Sequence, residues 1–473
     1  VAVLSTVREA EEAAGHLWQQ QQLDRPWWVR LNEFEAGRTG APYVDVSATP
    51  EMRRLGGISV MNVLAMVVAS HAHHLVVVGH RAGTAARRRT VTDASDSVAW
   101  RAWSRNRMPG RQQALHRAAL KYGHSYLVVD PSSTGATPRL HTRTPLTMVA
   151  SYLDTEADEW PQLALEFSIR EESTTRHVVR GLLWDDLMVW PVELGAYDPR
   201  LISGDRYLLR SQTALATAPR VDGPPVMHAV GHPPVVRYIK TWDTDAAVRY
   251  WLGEIEPLIG PQLALNEVNF DRHVVSRFGA FPQRLIIGWK DATDADRMRA
   301  SMARVWAVGA DPDKVKATQF PAAQVNGHNE LIERLQEYVA MVGMVPPTMV
   351  TGKMINMTAE AMAVAMFGQQ LKALDHRDSL GASHAQALRL MARLDGDQET
   401  AVDEEISPVW RPTEARSYAA AVDGASKLNA AGMPLEELLQ DIPGWTQERI
   451  DAARDLIRDP TSIPPTTRQE TPA

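Results

Sequence analysis

The sequence predicts an α+β fold on three observations. Residues 139–190 mostly alternate with the period of β-strands, clearest in LALEFSIREE and RHVVRGLLWDDLMVW. Three later segments, about 255–281, 326–343 and 358–394, carry apolar residues at helical spacing instead. The chain has 473 residues, 44% hydrophobic and 23% charged, enough for a sizeable core in roughly two to four domains.

From the start, residues 5–23 read as an amphipathic helix ending in QQQQ. DRPWW then breaks it, and WVRLNEFEAGR reads as a second, short helix. Gly56 to Ala72 reads as one mostly buried helix, followed by the strand LVVVGH. The basic run RAGTAARRRTVTDASDS, 81–97, is expected to be a loop or hairpin. A helix starts at Val98 with Trp100 and Trp103 on one face, and RQQALHRAALKYG forms another that ends at Gly123. HSYLVVD is a strand and PSSTG a turn. Residues 191–236, rich in Pro and Gly, carry no clear pattern.

The helix from about Ile255 to Phe281 sets Ile255, Ile259, Leu263, Phe270, Val274 and Phe278 near one stripe, with Asn266, His273 and Arg277 on a polar face. Pro257 and Pro261 fit only a first turn, which argues for a later start. FPQRLIIGW, ARVWAVGA and VKATQFP are three short strand candidates. NELIERLQEYVAMVG is a helix with Leu331, Ile332, Leu335, Val339 and Val342 on one face; it ends at Gly343, and Pro346-Pro347 forbids continuation. The next helix starts near Thr358, a suitable N-cap, and its stripe of Met362, Met366, Leu374, Leu388 and Met391 runs to Leu394. DGDQETAVDEE follows, then two short helices near 413–430 and 434–459, and a Pro/Thr-rich tail expected to be disordered.

Composition narrows the function. There is no cysteine, which excludes disulfides, cysteine nucleophiles and thiolate metal sites. The charged N-terminal segment does not read as a secretory signal, and the most apolar stretch, Ile58–Gly79, is too interrupted to span a membrane. A net charge of −7 argues against a tight grip on nucleic acid, which would need a basic face.

The enzyme-like motifs are incomplete. TGKM lacks the hydroxyl of a phosphate loop, and the required first glycine is Pro347. This weakens an ATPase motor. His71, His73, His74 and His80 could seed a metal-dependent nuclease or hydrolase, but no acidic neighbour in sequence would complete or orient the set. Asp185 and Asp186 would point to opposite faces of a strand. No catalytic residue, metal ligand or cofactor is assigned. The segment 344–357 stands out: longer than usual for a helix–helix connection, it mixes Met and Pro with Thr, Gly, Lys and Asn that a dry core would not welcome.

The order of these parts resembles a known family. LNEFEAGRTGAPYV, AWRAWSRNRMPGRQQALHRAALKYGHSYLVVDPSSTG, PRLHTRTPLTMVASYLD, LNEVNFDRHVVSRFGAFPQRLIIG, LIERLQEYVAMVGMVPPTMVTG and MTAEAMAVAMFGQQLKAL, together spanning about Leu31–Leu394, are similar to segments of portal proteins of tailed double-stranded-DNA bacteriophages of the siphovirus type. The resemblance implies a non-enzymatic portal fold that assembles into a twelve-membered ring at a capsid vertex. Residues 1–250 would form the wing, 255–282 and 326–343 the stem helices, 283–325 the clip, 344–357 the tunnel loop, 358–394 a helix returning to the wing, and 395–473 a crown and tail.

It further implies Thr348, Thr351, Gly352, Lys353, Met354 and Asn356 facing DNA. Asn266, His273, Arg277, Glu333 and Gln336 would line the channel or a subunit interface. Asp291, Asp294, Asp296, Arg297 and Arg299 would be partner contacts in the clip. The partners implied are double-stranded DNA, the terminase large subunit, a head–tail connector, the major capsid protein and any scaffold, with no membrane. The place implied is the virion, assembled in the host bacterial cytoplasm.

Overall fold

The computed structural model describes residues 3–81, 97–131, 137–174, 176–197, 218–242, 251–279, 284–287, 316–319, 325–353, 359–411, 418–439 and 447–458. The chain divides into two compact units. The first comprises Val1–Asn32, Ala65–Glu256 and Asn356–Ala473, and the second Glu33–Leu64 and Pro257–Ile355.

The chain begins with α1 (Val7–Glu35), continuous through Pro26. The expected break at DRPWW is therefore absent. Pro26 removes one backbone donor, but Gln21 and Arg25 just before it bond the carbonyls of Pro145 and Leu146, and Trp28 and Leu31 just after it are buried. Packing overrides the local penalty. The stretch 56–72 is likewise two helices, α2 (Pro50–Ile58) and α3 (Leu64–His73). Thr49 caps the first, with Pro50 in its first turn, and the Asn62 side chain accepts from Leu64 N–H at the start of the second.

The rest of the first unit is built on antiparallel sheets. In chain order come β1 (Val77–Arg81), α4 (Val98–Arg105), α5 (Met108–Tyr122), β2 (His124–Asp130), β3 (Arg139–Arg143), β4 (Met148–Ser151), β5 (Leu163–Ser173), β6 (Arg176–Trp184), β7 (Met188–Tyr197), β8 (Arg220–Val221), β9 (Val226–Met227) and β10 (Val235–Ile239). One sheet runs β4-β5-β6-β7-β8, with β9 also on β7, and a second runs β10-β2-β3. Ala10, Ala14, Leu17 and Trp18 of α1 pack on the first sheet against Leu165, Phe167, Val179 and Trp190, with Trp18 edge-on to Phe167 at 4.8 Å. Tyr126, Val128 and Val235 of the smaller sheet share a core with Met148, Ala164 and Trp184 of the larger.

In the second unit, α6 (Ile259–Gly279) follows a short 3₁₀ turn at Glu256–Leu258, so the helix does start late, with Pro261 in its first turn. Of the three strand candidates, two segments are described as the pair β11 (Arg284–Ile287) and β12 (Lys316–Gln319); ARVWAVGA lies outside the described residues. Then come α7 (Asn326–Gly343) and α8 (Pro347–Thr351). The chain returns to the first unit with α9 (Ala359–Leu394), followed by α10 (Gln398–Ala401) and β13 (Ser407–Trp410), and then α11 (Tyr418–Ala430), α12 (Leu435–Leu438) and α13 (Gln447–Arg458). The acidic run thus contains a helical turn and leads into a strand that pairs antiparallel with β1. The 81–97 loop and the Pro/Thr-rich tail lie almost wholly outside the described residues.

α9 is fixed by polar contacts along one side. Ser379 and Ser383 donate to the carbonyls of Ile239 and Arg237 on β10. Nearer its start, Lys372 and His376 approach the buried Glu254 carboxylate at 2.5 and 3.2 Å, and Lys240 reaches it at 3.1 Å. Burial pushes that carboxyl up, but the close approach of His376 and the charges of Lys240 and Lys372 outweigh it and hold Glu254 well below the usual range. Glu254 is seated by a close backbone crossing: its N–H bonds Leu120 O at 2.7 Å, and a Cβ on Gly123 or Gly253 would lie 2.0 Å from Trp251 O or Lys121 O. Only glycine fits either place.

Further along α9, a chain of neutral rings is buried. His116 Nδ1 is 2.8 Å from Leu75 O, His116 Nε2 is 2.8 Å from His384 Nε2, and His384 Nδ1 is 3.2 Å from Tyr238 Oη. One proton arrangement satisfies all three contacts: His116 Nδ1–H donates to the carbonyl, His384 Nε2–H to His116, and Tyr238 O–H to His384. Burial lowers His116 to about 4 and His384 well below its ordinary value. Burial also lowers His80 to about 4 and His124 to about 3.

These histidines fold neutral, so the unfolded chain binds more protons below its own His pKa near 6.5. Stability should therefore fall as pH drops from about 6.5 towards 4, each histidine contributing up to about 1.4 kcal/mol per pH unit. Urea titrations at pH 7, 5.5 and 4.5 followed by tryptophan fluorescence should show the midpoint falling; a constant midpoint would contradict neutral burial.

Candidate functional site at the helical turn after α7

α7 ends through backbone geometry. Met344 takes a left-handed conformation (φ 51°, ψ 45°), and Val345 N–H reaches back to Ala340 O at 3.0 Å, closing the last turn. Pro346 and Pro347 then start α8, where a proline needs no amide partner. The segment read as an open loop over 344–357 is thus partly helical, at 347–351. Thr348 is half-buried and accepts from Gly352 N–H through its carbonyl, while the Thr351 hydroxyl donates to Pro347 O at 3.0 Å. Gly352 ends α8 in the left-handed region at φ 67°, with open space around it. Met354 and Asn356 lie outside the described residues.

Lys353 is exposed, and its ammonium is 2.7 Å from Glu333 Oε2 on α7. Both side chains reach solvent, so the pair contributes about 0–1 kcal/mol and opens readily. Gln336, one turn further along α7, is half-buried.

The polar residues of α6 divide between two roles. Arg277 is exposed and pairs with Glu51 at 2.7 Å, and His273 is half-buried. Asn266, expected to line a channel or an interface, is instead fully buried in its own unit. Its Oδ1 accepts from Met61 N–H at 3.0 Å and from Gln262 at 2.8 Å, and its amide donates to Gly40 O at 2.9 Å. Gln262 also bonds Met61 O and Val63 N–H, and Asn269 donates to Ser59 O. Gln262, Asn266 and Asn269 thus form a polar ladder that clasps the segment between α2 and α3. Sequence reading missed two of its rungs; three carboxamides at i, i+4 and i+7 in an apolar helix were the available signal. Asp291, Asp294, Asp296, Arg297 and Arg299 lie outside the described residues.

The histidines do not converge. His71 is buried in α3 beside His376, with rings 6.0 Å apart, and His80 lies on β1 beside Trp100. Among the described residues, no group of three or more His, Asp or Glu is placed to hold a metal ion, and no helix is long and apolar enough to cross a membrane.

Residues 87–459 match the family model "Phage portal protein, SPP1 Gp6-like". The chain belongs to this portal family. Portal proteins are structural components of the virion rather than enzymes, which removes the hydrolase and motor readings. No curated protein matches the chain. Among solved structures it is similar to a chain in the virion of a native gene transfer agent particle (TM-score 0.44, 13% identity, covering 87% of this chain and 99% of that one). It is also similar to one in the neck of an empty gene transfer agent particle (TM-score 0.42, 15% identity, 82% and 90%).

The carboxamide ladder yields a prediction for the portal chain. Asn266→Ala leaves Gly40 O and Met61 N–H without their partner and should cost about 2–4 kcal/mol in the second unit. Chemical denaturation of the purified variant would measure this; a loss under about 0.5 kcal/mol would show that the ladder is not a structural clasp.

Proposed function

We propose that copies of this chain close into a twelve-membered ring at one capsid vertex, through which double-stranded DNA is packaged by a terminase and later ejected. The family match over residues 87–459 carries this reading. The turn formed by α8, Gly352 and Lys353, with Met354 and Asn356 beyond it, would face the DNA. The long α6 and α7 would form the stem around the channel. Asp291, Asp294, Asp296, Arg297 and Arg299 would meet the terminase large subunit, and other surfaces the head–tail connector, the major capsid protein and any scaffold. Assembly would take place in the bacterial cytoplasm.

The chemistry of the turn suits a duplex that must move. A deep phosphate-binding well at every subunit would arrest sliding. Lys353 offers one cation per copy, already shared with Glu333, so a phosphate gains it only by exchange with a carboxylate. Met349, four residues before Lys353, is exposed, and a methionine side chain is compliant.

Two measurements test this. The purified chain should form a ring of about 630 kDa, twelve copies of 52.4 kDa, in sedimentation and in negative-stain images. A monomer that persists in the presence of its capsid proteins would sink the ring. Lys353→Glu should leave ring mass unchanged but lower the DNA retained per particle, because it sets a second carboxylate beside Glu333 and repels phosphate. Normal titres of packaged particles carrying that substitution would remove Lys353 from the DNA path.

A further inference from the structure

Two helices each expose a ridge of large apolar side chains. On α9, Val364, Phe367, Leu371 and Leu374 face solvent, Val364 at 76% and Phe367 at 58% exposure. Their opposite side, with Gln369, Ala373, His376 and Leu380, is buried. On α7, Leu331, Tyr338 and Met341 are exposed, and exposed Arg334 stands among them. Positions 364, 367, 371 and 374 step by 3, 4 and 3, as do 331, 334, 338 and 341. That spacing keeps a seam turned towards one neighbouring helix. Aligned apolar ridges of this kind are seldom left uncovered on a soluble protein.

We propose that α9 of one copy packs antiparallel against α7 of the next. This rests on the ring reading and adds the surface by which neighbours meet. Charge selects the direction. With Val364 beside Met341 and Phe367 beside Tyr338, Leu374 meets Leu331, and Arg334 falls opposite Leu371, one turn from exposed Asp375. In the parallel order Arg334 would face Phe367, and α9 has no acidic residue from Val364 to Leu374 to receive it. The two ridges are different surfaces of one chain, so their contact is heterologous and propagates from copy to copy until it closes. A copy that engages both neighbours at once covers both ridges, so the contact favours closure over an isolated dimer.

The absence of native cysteine makes the test direct. A chain carrying Phe367→Cys and Tyr338→Cys, both at exposed positions, is mildly oxidised and run on a denaturing gel. The expected result is a ladder of covalent oligomers up to the full ring, absent from either single variant. A dimer from Phe367→Cys alone would mean that α9 pairs with α9 and would overturn the proposal. A ring of full mass without a ladder would overturn the seam and leave the ring reading standing. A chain that stays monomeric even in the presence of its capsid proteins and gives no ladder would overturn both. As a second measurement, Arg334→Glu should raise the concentration for half-assembly by about tenfold, and adding Asp375→Arg should restore it. No restoration would overturn the antiparallel register.

Discussion

A buried carboxylate is the contact on which much of the first unit depends. Glu254 sits where the backbone at 251–254 crosses the end of α5 too closely for any side chain at positions 123 and 253. It gathers Lys240 from beyond β10 and Lys372 and His376 from α9. Removing one partner of such a cluster leaves charge stranded out of water, a far larger penalty than the loss of an exposed pair. The cluster therefore acts as a register mark. Apolar stripes alone would let a helix of 36 residues slide along its bed, and a slide by one turn would separate Lys372 and His376 from Glu254.

The His116–His384–Tyr238 chain is a second mark on the same helix, one that carries no charge. Its directions are fixed by the backbone carbonyl at one end, which can only accept, so in the neutral chain every ring nitrogen in the path has one role. Protonating either imidazole would place a charge in a fully buried site and turn the Tyr238 hydroxyl from donor to acceptor. An ion cluster near the middle of the helix and a neutral relay about two turns further on thus hold the same orientation by different means, and they respond differently to pH.

Much of this architecture was legible in the sequence because it follows local rules. The strands between 139 and about 190 showed their alternation, although β7 runs on to Tyr197 through residues that carried no clear pattern; Gly123 marked the end of α5, and Pro346-Pro347 marked the end of α7. Three of the misreadings share one cause: tertiary contacts outweighed local signals. Pro26 did not break α1, because flanking side chains were engaged on both sides. A run of acids leads into the strand at 407–410, because β1 offered an edge to pair with. Asn266 read as a surface residue because its partners, Gly40 and Met61, are more than 200 residues away in sequence. Of the turn after α7, the sequence showed the composition but not the pairing of Lys353 with Glu333, since a contact 20 residues apart depends on α8 folding back.

That pairing reconciles attraction with movement in the proposed channel. A free lysine in a ring would attract phosphate, and a dozen of them would add up along a duplex. A lysine shared with a carboxylate offers only the difference between two ion pairs of similar geometry, each exposed and each contributing about 0–1 kcal/mol. That difference is comparable to thermal energy, so a passing phosphate can take the ammonium and return it without a deep minimum. In that reading Glu333 would occupy the place of the phosphate between encounters. A weak pair is therefore better suited to a moving duplex than a strong one would be, since its tolerance of exchange is what sliding requires.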